Sequence, residues 1–287
     1  MPMKGIVLAG GTGSRLWPIT RSVSKQLLPV YDKPLIHYPL GTLMLAGIRE
    51  VLMITTEDDQ AAFKKLLGSG EYFGMKISYE VQSKPEGLAQ AFLIGAKFIG
   101  SEPVALILGD NIFHGMGLGR DLINSTNPTG ALIFGYSVKD PERYGVAEFD
   151  KSNKVLSLEE KPKNPKSKYA IPGLYFFDNR VIKFSKSLKP SKRGELEIVD
   201  VMNAYLNDGG IDVIKFPRGT AWLDAGQPDS LFQSAAYVKT IQERQGIRIG
   251  CIEEECYNKG FINKEQLKKV VDKLPNSEYK CYLQKYE

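Results

Sequence analysis

Cations and carboxylates stand beside glycine-rich or apolar segments at several places in the chain. Arg15 and Lys25 follow a run of small residues, Asp110 and Asp224 each follow apolar residues, and Lys161 follows two glutamates. Fixed cations and backbone N–H groups stabilise phosphate oxygens, and carboxylates hold Mg²⁺. Catalysis in this chain is therefore expected to rest on carboxylates, cations and the backbone.

Histidine and cysteine offer little for other kinds of chemistry. The only histidines are His37 and His114. Two histidines leave few candidates for a Ser-His-Asp hydrolase or for a metal site with several imidazole ligands. Cys251, Cys256 and Cys281 all lie near the C-terminus and are expected to be free thiols. They form no Cys-x-x-Cys pair with a nearby histidine, which disfavours zinc.

The opening segment, residues 4–25, reads KGIVLAGGTGSRLWPITRSVSK. Residues 6–9 form a continuous apolar run, which is typical of a strand covered on both faces of a parallel sheet. Gly10, Gly11 and Gly13 can adopt positive φ and let backbone N–H groups point at an anion. The segment predicts a phosphate cradle. The alternative, a tight strand-to-helix turn without a ligand, leaves the flanking cations unexplained.

Two familiar glycine motifs do not fit this segment. A dinucleotide fingerprint G-x-G-x-x-G that starts at Gly11 has Leu16 where its third glycine belongs, and the sequence contains no G-x-x-x-x-G-K-[ST]. A nicotinamide-dependent oxidoreductase is therefore disfavoured.

Composition places the chain among globular proteins that handle small anions. It has 287 residues, 43% of them hydrophobic and 25% charged, and a formal net charge of +5. This charge is modest and scattered, which indicates no nucleic-acid partner but suits anionic small molecules. With no apolar run of about 18 residues and no signal-peptide core, we expect no membrane contact and a cytoplasmic location.

Predicted strands at residues 6–9, 51–55, 77–82 and 104–109 alternate with predicted helices at residues 35–46, 58–67 and 88–98. Shorter strands with polar, Pro-rich connections follow. The predicted fold is α/β, with an open, mostly parallel, Rossmann-like sheet covered by helices on both faces. A smaller mixed or antiparallel part and a C-terminal helical tail complete it. The predicted domains are 1–246 and a tail at 247–287, with a subdivision of the first at about residue 110.

The motifs along the chain resemble those of the sugar nucleotidyltransferase family. The resemblance covers about residues 4–246. It rests on the following segments, in chain order: LAGGTGSRLWPIT, SKQLLPVYDKP, VQSKPEGLAQAF, LILGDNIF, ERYGVAEFD, LEEKP, GLYFFD, RGELEIVD and AWLDAG.

The resemblance implies transfer of a thymidylyl group from dTTP to glucose 1-phosphate, giving dTDP-glucose and pyrophosphate, as the first step of dTDP-sugar synthesis such as that of dTDP-rhamnose. The nucleophile is a phosphate oxygen that is largely ionised at neutral pH, so no general base is required. Mg²⁺ is the implied cofactor. Alternatives are the same reaction with UTP or another sugar 1-phosphate, and a non-catalytic nucleotide-sugar sensor.

The resemblance implies that domain 1–246 is catalytic, with residues 1–110 mainly for the nucleotide and residues 111–246, which contain the smaller sugar-binding part, mainly for the sugar phosphate. It also assigns the site residues. Asp110 and Asp224 would hold the metal, and Arg15, Lys25 and Lys161 would join them in catalysis. The implied nucleotide-binding residues are Leu8, Gly10, Gly11, Gly13, Arg15, Lys25, Gln26, Gln82 and Gly87. The implied sugar-phosphate-binding residues are Asn111, Gly145, Glu160, Lys161, Ile171 and Arg193.

Simpler structural roles stay open for several of these residues. Asp110 and Asp224 could be turn residues, and Gln82 a polar residue at a strand end. Trp222 would pack in the pocket wall. The tail could be a packed pair of terminal helices, whereas the resemblance implies that it contributes to a feedback nucleotide site and to subunit contacts of a homotetramer.

Overall fold

A mixed ten-stranded sheet forms the centre of the computed structural model, which describes residues 2–286. Two further pairs of short strands lie outside this sheet. The strands are β1 (Lys4–Ala9), β2 (Pro29–Val30), β3 (Lys33–Pro34), β4 (Glu50–Thr55), β5 (Lys76–Val81), β6 (Val104–Leu108), β7 (Asn111–His114), β8 (Ala131–Ser137), β9 (Gly145–Phe149), β10 (Val155–Glu160), β11 (Tyr169–Ala170), β12 (Leu174–Phe177), β13 (Ile211–Lys215) and β14 (Ala221–Asp224).

Helices cover both faces of the sheet and form the C-terminal tail. They are α1 (His37–Leu45), α2 (Glu57–Leu67), α3 (Gln90–Ile94), α4 (Ala96–Ile99), α5 (Leu118–Ile123), α6 (Val181–Ser187), α7 (Ile198–Asn207), α8 (Pro228–Gln245), α9 (Ile252–Asn258), α10 (Lys264–Asp272) and α11 (Glu278–Leu283). Within residues 2–286, no helix is long and apolar enough to cross a bilayer.

The first half of the chain builds the parallel part of the sheet, in the order β6-β1-β4-β5. Ile6 and Val7 of β1 are both fully buried but belong to apolar clusters on opposite faces. Because both faces of this strand are covered, it carries an unbroken apolar run instead of alternating polar residues. The predicted parallel α/β organisation of this half is confirmed.

The second half extends the same sheet in antiparallel fashion. Strand β12 pairs antiparallel with β6, and β8, β11, β9 and β10 continue the sheet outward, with β13 parallel to β8. The predicted antiparallel or mixed extension is therefore present, and it is continuous with the parallel part. Pro172 lies between β11 and β12, where the chain leaves one strand and enters the next.

A two-stranded ribbon joins distant parts of the chain beside the sheet. Strands β7 and β14 run antiparallel, and Asn111 pairs with Asp224 in their register. The ribbon begins with a hydrogen bond of 3.0 Å from the N–H of Ala225 to the carbonyl of Asp110. This pairing brings the two predicted metal ligands together although Asp110 and Asp224 are 114 positions apart in the sequence.

One helix that the sequence predicts as continuous, residues 88–98, is divided into α3 and α4 at Gly95. A Cβ atom at Gly95 would lie 2.9 Å from Cδ1 of Ile6 and 3.2 Å from Cδ2 of Leu52. The glycine thus permits close packing of the helix pair on β1 and β4.

The tail helices share a core with the first half of the chain. Cys256, Leu267 and Val271 are fully buried in the same apolar cluster as Leu40 of α1 and Met53 of β4. The proposed division at residue 246 stays a prediction. In the structure the tail packs directly on α1 and β4 of the first half of the chain.

Candidate active site

The glycine turn after β1 presents an open backbone. A Cβ atom at Gly11 would meet nothing within 4 Å, and Gly13 has a φ of +64°. The hydroxyl of Thr20 donates a hydrogen bond of 2.9 Å to the carbonyl of Gly13 and fixes the turn. Arg15 follows in a short 3₁₀ helix and is exposed. An accessible backbone next to a free guanidinium suits an incoming phosphate group.

Asp110 lies at the carboxyl end of the parallel strand β6, in contact with two polar neighbours. Its Oδ2 accepts a hydrogen bond of 2.5 Å from Nζ of Lys25, and its Oδ1 accepts one of 2.8 Å from Nδ2 of Asn111. Burial opposes ionisation of this carboxyl, but the charge of Lys25 and both hydrogen bonds outweigh it and lower the pKa of Asp110. Asp110 is therefore ionised at neutral pH.

Asp224 occupies a less favourable position for its negative charge. Burial, followed by the nearby Asp110, raises its pKa, and the Arg143 and Arg15 guanidinium groups oppose the rise. An ideal Cβ at Gly226 would be 3.3 Å from both Oδ2 of Asp224 and Nη2 of Arg15, which places the guanidinium on the Asp224 side of the turn. Two partly buried carboxylates of like charge create a site that favours a cation.

Both aspartates line one cavity of about 600 Å³. Its size falls within the range of small-molecule sites. Nine predicted site residues line it: Arg15, Asp110, Asn111, Gly145, Glu160, Lys161, Ile171, Arg193 and Asp224. Lys25 is not part of the lining but reaches the cavity through its contact with Asp110.

The far side of the cavity carries a cluster of charged residues. Nζ of Lys161 lies 3.5 Å from Oε1 of Glu160, and Nη2 of Arg193 lies 3.7 Å from the same oxygen. Arg193 makes a closer contact of 2.7 Å with Oε2 of Glu197. Burial raises the pKa of Glu160, while Lys161 and Arg193 oppose that rise. Lys161 and Arg193 remain about half exposed, so an anion can still reach them.

The predicted base-recognition residues lie together at the end of β5. A Cβ atom at Gly10 would come within 2.4 Å of Oε1 of Gln82, so the Gln82 amide lies directly against the glycine turn. Nε2 of Gln82 donates a hydrogen bond of 2.6 Å to Oε1 of Gln90. Gly87 has a φ of +104° and packs on the backbone of Leu196. Gln82 therefore borders the glycine turn, and the carbonyl of Gly87 accepts a hydrogen bond of 3.5 Å from Nε2 of Gln82. Neither residue lines the 600 Å³ cavity.

Two other predicted nucleotide-binding residues pack against Gly109, the residue before Asp110. Leu8 is buried in β1, and its carbonyl accepts a hydrogen bond of 2.9 Å from the N–H of Gly109. Gln26 is also buried, and its Oε1 accepts a hydrogen bond of 2.8 Å from the hydroxyl of Ser24. A Cβ atom at Gly109 would lie 2.9 Å from Cγ of Gln26 and 3.0 Å from the carbonyl oxygen of Leu8.

Asn111 has a supporting role that the sequence did not indicate. Its Oδ1 accepts hydrogen bonds of 2.6 Å from Nε1 of Trp222 and 3.1 Å from the N–H of Gly173, while its Nδ2 donates to Asp110. Trp222 also makes edge-to-face ring contacts with Tyr144, at a centroid distance of 5.0 Å. Trp222 therefore holds the asparagine that holds Asp110, in addition to packing in the cavity wall.

Further residues line the cavity that the sequence motifs did not indicate. Arg143, Tyr144, Glu197 and Gln227 all line the cavity. The motif ERYGVAEFD contained two of them, and the position of Arg143 and Tyr144 directly before Gly145 was the signal that could have found them. Glu197 could have been found as the acid four residues after Arg193, a spacing that allows the observed ion pair.

The donor set fits Mg²⁺ better than a metal that needs many protein ligands. Asp110 and Asp224 offer carboxylate oxygens side by side, and among residues 2–286 there is no cluster of three His, Cys, Asp or Glu side chains arranged for a metal. Mg²⁺ retains waters and binds through one or two carboxylates plus substrate phosphates. Two aspartates that line one cavity meet that requirement.

The chain is similar to known nucleotidyl transferases over most of its length. Residues 4–240 match the nucleotidyl transferase family. The chain is 56% identical over 281 residues to a glucose-1-phosphate thymidylyltransferase of Mycolicibacterium smegmatis, covering 98% of both chains. It is 53% identical over 282 residues to the enzyme of the same name from Neisseria meningitidis, again covering 98% of both.

Solved structures of related enzymes have the same fold as this chain. A Bacillus anthracis protein assigned as a glucose-1-phosphate thymidylyltransferase, crystallised with sucrose, superimposes with a TM-score of 0.76 at 42% identity, covering 82% of this chain and 94% of the other. A UDP-glucose pyrophosphorylase in complex with UDP-glucose superimposes with a TM-score of 0.74 at 24% identity, covering 84% and 100%, and shows the fold alone. The chain belongs to the nucleotidyl transferase family, within the glucose-1-phosphate thymidylyltransferases.

Proposed function

We propose that the protein transfers a thymidylyl group from dTTP to glucose 1-phosphate and releases pyrophosphate. Relatives at 53% and 56% identity over 98% of the chain are named for this reaction. One structural observation carries the proposal. The β7–β14 ribbon places Asp110 and Asp224 in one cavity, between the cations of the glycine turn and those beside Glu160.

The cationic side chains of the cavity form two groups, one for each proposed substrate. Arg15 and Lys25 lie on the side of the glycine turn, where a triphosphate would meet open backbone N–H groups. Lys161 and Arg193 lie on the opposite side of the cavity, where they would bind the phosphate of the sugar. This separation lets the two polyanions approach each other while each is neutralised.

Proton transfer need not take part in the reaction. The attacking oxygen belongs to a phosphate that is largely ionised at neutral pH. The cavity lining contains no histidine, and its charged groups can hold and orient both phosphates. Mg²⁺, held by Asp110 and Asp224, would supply additional neutralisation of the reacting phosphates.

Glu160 is proposed to accept hydrogen bonds from sugar hydroxyl groups. Its carboxylate lies next to Gly145, where an added Cβ atom would be 3.3 Å from Oε2. The glycine therefore leaves space for a sugar ring beside the carboxylate. Ile171 gives this part of the cavity an apolar contact, and its N–H donates a hydrogen bond of 2.8 Å to the carbonyl of Gly145.

Substrate preference is tested by a matrix of pyrophosphate-release assays. dTTP and UTP are each combined with glucose 1-phosphate and with galactose 1-phosphate. We expect the highest kcat/KM for dTTP with glucose 1-phosphate. A contact with one methyl group is worth about 1–3 kcal/mol in an apolar pocket, so discrimination against UTP is expected to be about 10–200-fold. Equal or better turnover of UTP would favour the alternative reaction, and binding without any pyrophosphate release would favour a nucleotide-sugar sensor.

The metal assignment is tested with Asp110→Asn and Asp224→Asn. Each variant keeps the side-chain size but removes a charge, and a loss of about 3–4 kcal/mol in transition-state stabilisation would lower kcat/KM by roughly 10²–10³-fold. The matched control is Asp212→Asn, an exposed residue on β13, which is expected to retain full activity. A double variant that releases pyrophosphate at the unaltered rate would contradict the assignment.

The homotetramer, the feedback site and the cytoplasmic location stay predictions from the sequence. Light scattering on the purified protein tests the homotetramer. Titration of a dTDP-sugar into the pyrophosphate-release assay tests the feedback site. Inhibition that a higher concentration of either substrate fully overcomes would argue against a separate feedback site.

A further inference from the structure

Glu197 holds one edge of the Arg193 guanidinium at the active-site cavity of about 600 Å³. Nη2 of Arg193 donates a hydrogen bond of 2.7 Å to Oε2 of Glu197, and Nε donates one of 3.1 Å to Oε1. A bidentate pair of this kind fixes the plane of the guanidinium as well as its position. Two other carboxylates lie farther from Nη2, that of Glu195 at 3.5 Å and that of Glu160 at 3.7 Å. Glu197 is therefore the main partner of Arg193.

The guanidinium of Arg193 has a second edge, formed by Nη1 and Nη2. Arginine can bind a carboxylate or a phosphate through two N–H groups on either edge. Within residues 2–286, Nη1 makes no hydrogen bond or ion pair. Arg193 lines the active-site cavity, and its side chain is 44% exposed. The edge that Glu197 leaves open is thus available to an oxyanion.

Glu197 is itself held in place, so its carboxylate can fix the arginine. Its side chain is only 13% exposed, and the residue lies directly before α7. Oε1 accepts a further hydrogen bond of 2.7 Å from the hydroxyl of Ser191, which in turn accepts one of 3.1 Å from the N–H of Arg193. The turn closes through a hydrogen bond of 2.8 Å from the N–H of Gly194 to the carbonyl of Ser191. Burial opposes ionisation of Glu197, but the hydrogen bonds from Arg193 and Ser191 outweigh it and lower the pKa of this carboxyl.

We propose that Glu197 is a positioning residue, which fixes Arg193 so that its Nη1–Nη2 edge meets the phosphate of the sugar 1-phosphate. Glu197 then acts through Arg193, without contact with the substrate. A long side chain that is already ordered loses less conformational entropy when it binds an anion, so a fixed arginine binds more tightly than a free one. The inference rests on the proposed function, because it takes the anion at Arg193 to be a sugar phosphate.

Glu197→Gln is the first test, because it keeps the size of the side chain and removes the charge that holds Arg193. Pyrophosphate release is measured with dTTP and glucose 1-phosphate, each varied in turn. The KM for glucose 1-phosphate is expected to rise about five- to tenfold, while kcat and the KM for dTTP change less than about twofold. Loss of a carboxylate near an anion would by itself lower that KM, so the change of charge alone does not produce the expected rise. An unchanged or lower KM for glucose 1-phosphate would overturn the proposal.

Glu159→Gln is the matched control, because it removes the same charge from a neighbouring position. Glu159 precedes Glu160 on β10 but does not line the active-site cavity, and its side chain is 41% exposed and pairs with Lys166 at 3.0 Å. Neither KM should change by more than about twofold. Ser191→Ala is a milder variant, which removes one hydrogen bond to Glu197 and should raise the KM for glucose 1-phosphate about two- to threefold. If Glu197→Gln folds poorly, an unchanged KM in Ser191→Ala would count against the proposal in its place.

A double-mutant cycle with Arg193→Met separates positioning from direct contact with the sugar. If Glu197 acts only through the guanidinium, Glu197→Gln in the Arg193→Met background raises the KM for glucose 1-phosphate by less than about twofold. A further rise of about five- to tenfold in that background would show that Glu197 binds the substrate itself, and the positioning role would be wrong.

Direct binding distinguishes a failure of this inference from a failure of the proposed function. An unaltered protein that releases no pyrophosphate from dTTP and glucose 1-phosphate would contradict the function. Isothermal titration calorimetry with glucose 1-phosphate then decides the role of Glu197. Binding to Glu197→Gln that is about five- to tenfold weaker than to the unaltered protein supports positioning. Equal binding, or no binding to either protein, refutes it.

Discussion

At the scale of single residues, the contact between Lys25 and Asp110 sets the electrostatics of the proposed active site. Both side chains are largely buried, at 10% and 15% exposure, and their charged atoms are 2.5 Å apart. Burial alone would raise the pKa of Asp110, whereas the ammonium group keeps it below its ordinary value. The carboxylate is therefore ready to bind a cation at neutral pH, and Lys25 keeps it charged until then.

Lys25→Met is expected to destabilise the protein more at pH 8 than at pH 5. In the unaltered protein the lowered pKa of Asp110 means that its stabilising contribution is present above the unfolded pKa of about 3.9 and is lost as the pH falls through the folded value. Without Lys25, burial is opposed only by the hydrogen bond from Asn111 and a backbone hydrogen bond, and the folded-state pKa of Asp110 rises. The stability of the variant then decreases as the pH rises from the unfolded pKa to the folded pKa of this carboxyl. Removing one partner of a buried pair costs about 3–5 kcal/mol.

Urea denaturation of Lys25→Met and the unaltered protein at both pH values measures this difference. Lys76→Met is the control, because Lys76 is exposed and lies 3.9 Å from Glu50. Its effect should be within about 0.5 kcal/mol at either pH. An equal loss of stability at pH 5 and pH 8 for Lys25→Met would show that Asp110 does not respond to Lys25.

Asn111→Ala is expected to lower both stability and activity, because the buried amide connects three parts of the site. The change leaves the N–H of Gly173 and Nε1 of Trp222 without their acceptor. Each buried unpaired group costs about 1–3 kcal/mol, and Asp110 loses one hydrogen bond. Asn203→Ala, which removes one long hydrogen bond of 3.5 Å to Leu158, is the control and should cost less than about 1 kcal/mol.

Thermal unfolding and kcat/KM for pyrophosphate release are measured on both asparagine variants. If Asn111 acted only through a direct sugar contact, its replacement would raise the KM for the sugar phosphate and leave stability unchanged. That outcome would contradict the positioning role assigned to it here.

At the scale of elements, two connections bring the site together: the β7–β14 ribbon and the loop around Gly87. This loop contacts the segment that precedes α7, through hydrogen bonds from Leu196 to Glu86 at 2.7 Å and from Ala89 to Leu196 at 3.2 Å. The predicted nucleotide loop and the RGELEIVD motif are therefore held together by backbone contacts. Sequence motifs far apart in the chain meet at this junction.

Gly87→Ala is expected to disrupt this junction. A Cβ atom there would lie 2.4 Å from the carbonyl oxygen and 2.5 Å from the nitrogen of Leu196, and the residue has a φ of +104°. Gly219→Ala is a matched control, because Gly219 has a φ of +96° with nothing within 4 Å of its added Cβ. Both variants carry a backbone cost of about 1–3 kcal/mol, and only Gly87→Ala adds the clash.

The comparison is made by thermal unfolding together with the KM for dTTP. Gly87→Ala should lower the Tm more than Gly219→Ala and raise the KM for the nucleotide. Equal shifts in Tm for the two variants would mean that the contact with Leu196 relaxes without cost.

Local sequence patterns predicted the long elements but not the short ones that complete the site. The apolar runs of β1, β4 and β6 and the strong periodicity of α2 indicated these elements within a few residues. Strands β7 and β14 were missed because each has four residues and its partner lies about 110 residues away, so no local signal marks it. Family motifs supplied what periodicity could not, namely the prediction that Asp110 and Asp224 act together.

The contacts of individual side chains were the least predictable part of the site. That Asn111 is hydrogen-bonded to Asp110, Gly173 and Trp222 depends on atoms brought together by three different strands or turns. No spacing in the sequence carries this information. For the same reason, the buried and unpartnered imidazole of His37 could be recognised only in the folded chain.

At the scale of the whole molecule, the tail is part of the core rather than an appendage. Leu267 and Val271 of α10 are fully buried in the apolar cluster that also contains α1 and β4 residues. Deleting residues 251–287 would expose that core, so loss of feedback inhibition on deletion could reflect unfolding. Point substitutions on the tail are the better test of its role.

Leu267→Ala is expected to destabilise the entire chain. A buried leucine replaced by alanine costs about 2–5 kcal/mol. Because its cluster reaches β4, pyrophosphate release and helical circular dichroism should be lost at the same urea concentration. Leu156→Ala on β10, where the leucine is 51% exposed, is the control and should shift the midpoint little. Loss of helix signal well before loss of activity would show that the tail unfolds by itself.

The antiparallel pairing of Asn111 with Asp224 has a consequence for synthesis on the ribosome. Until the segment that carries Asp224 has emerged, a nascent polypeptide can form the Lys25–Asp110 contact but has only one of the two carboxylates. An unfinished translation product would thus be unable to consume nucleoside triphosphates, and catalytic competence would arise only after more than three quarters of the protein has been made.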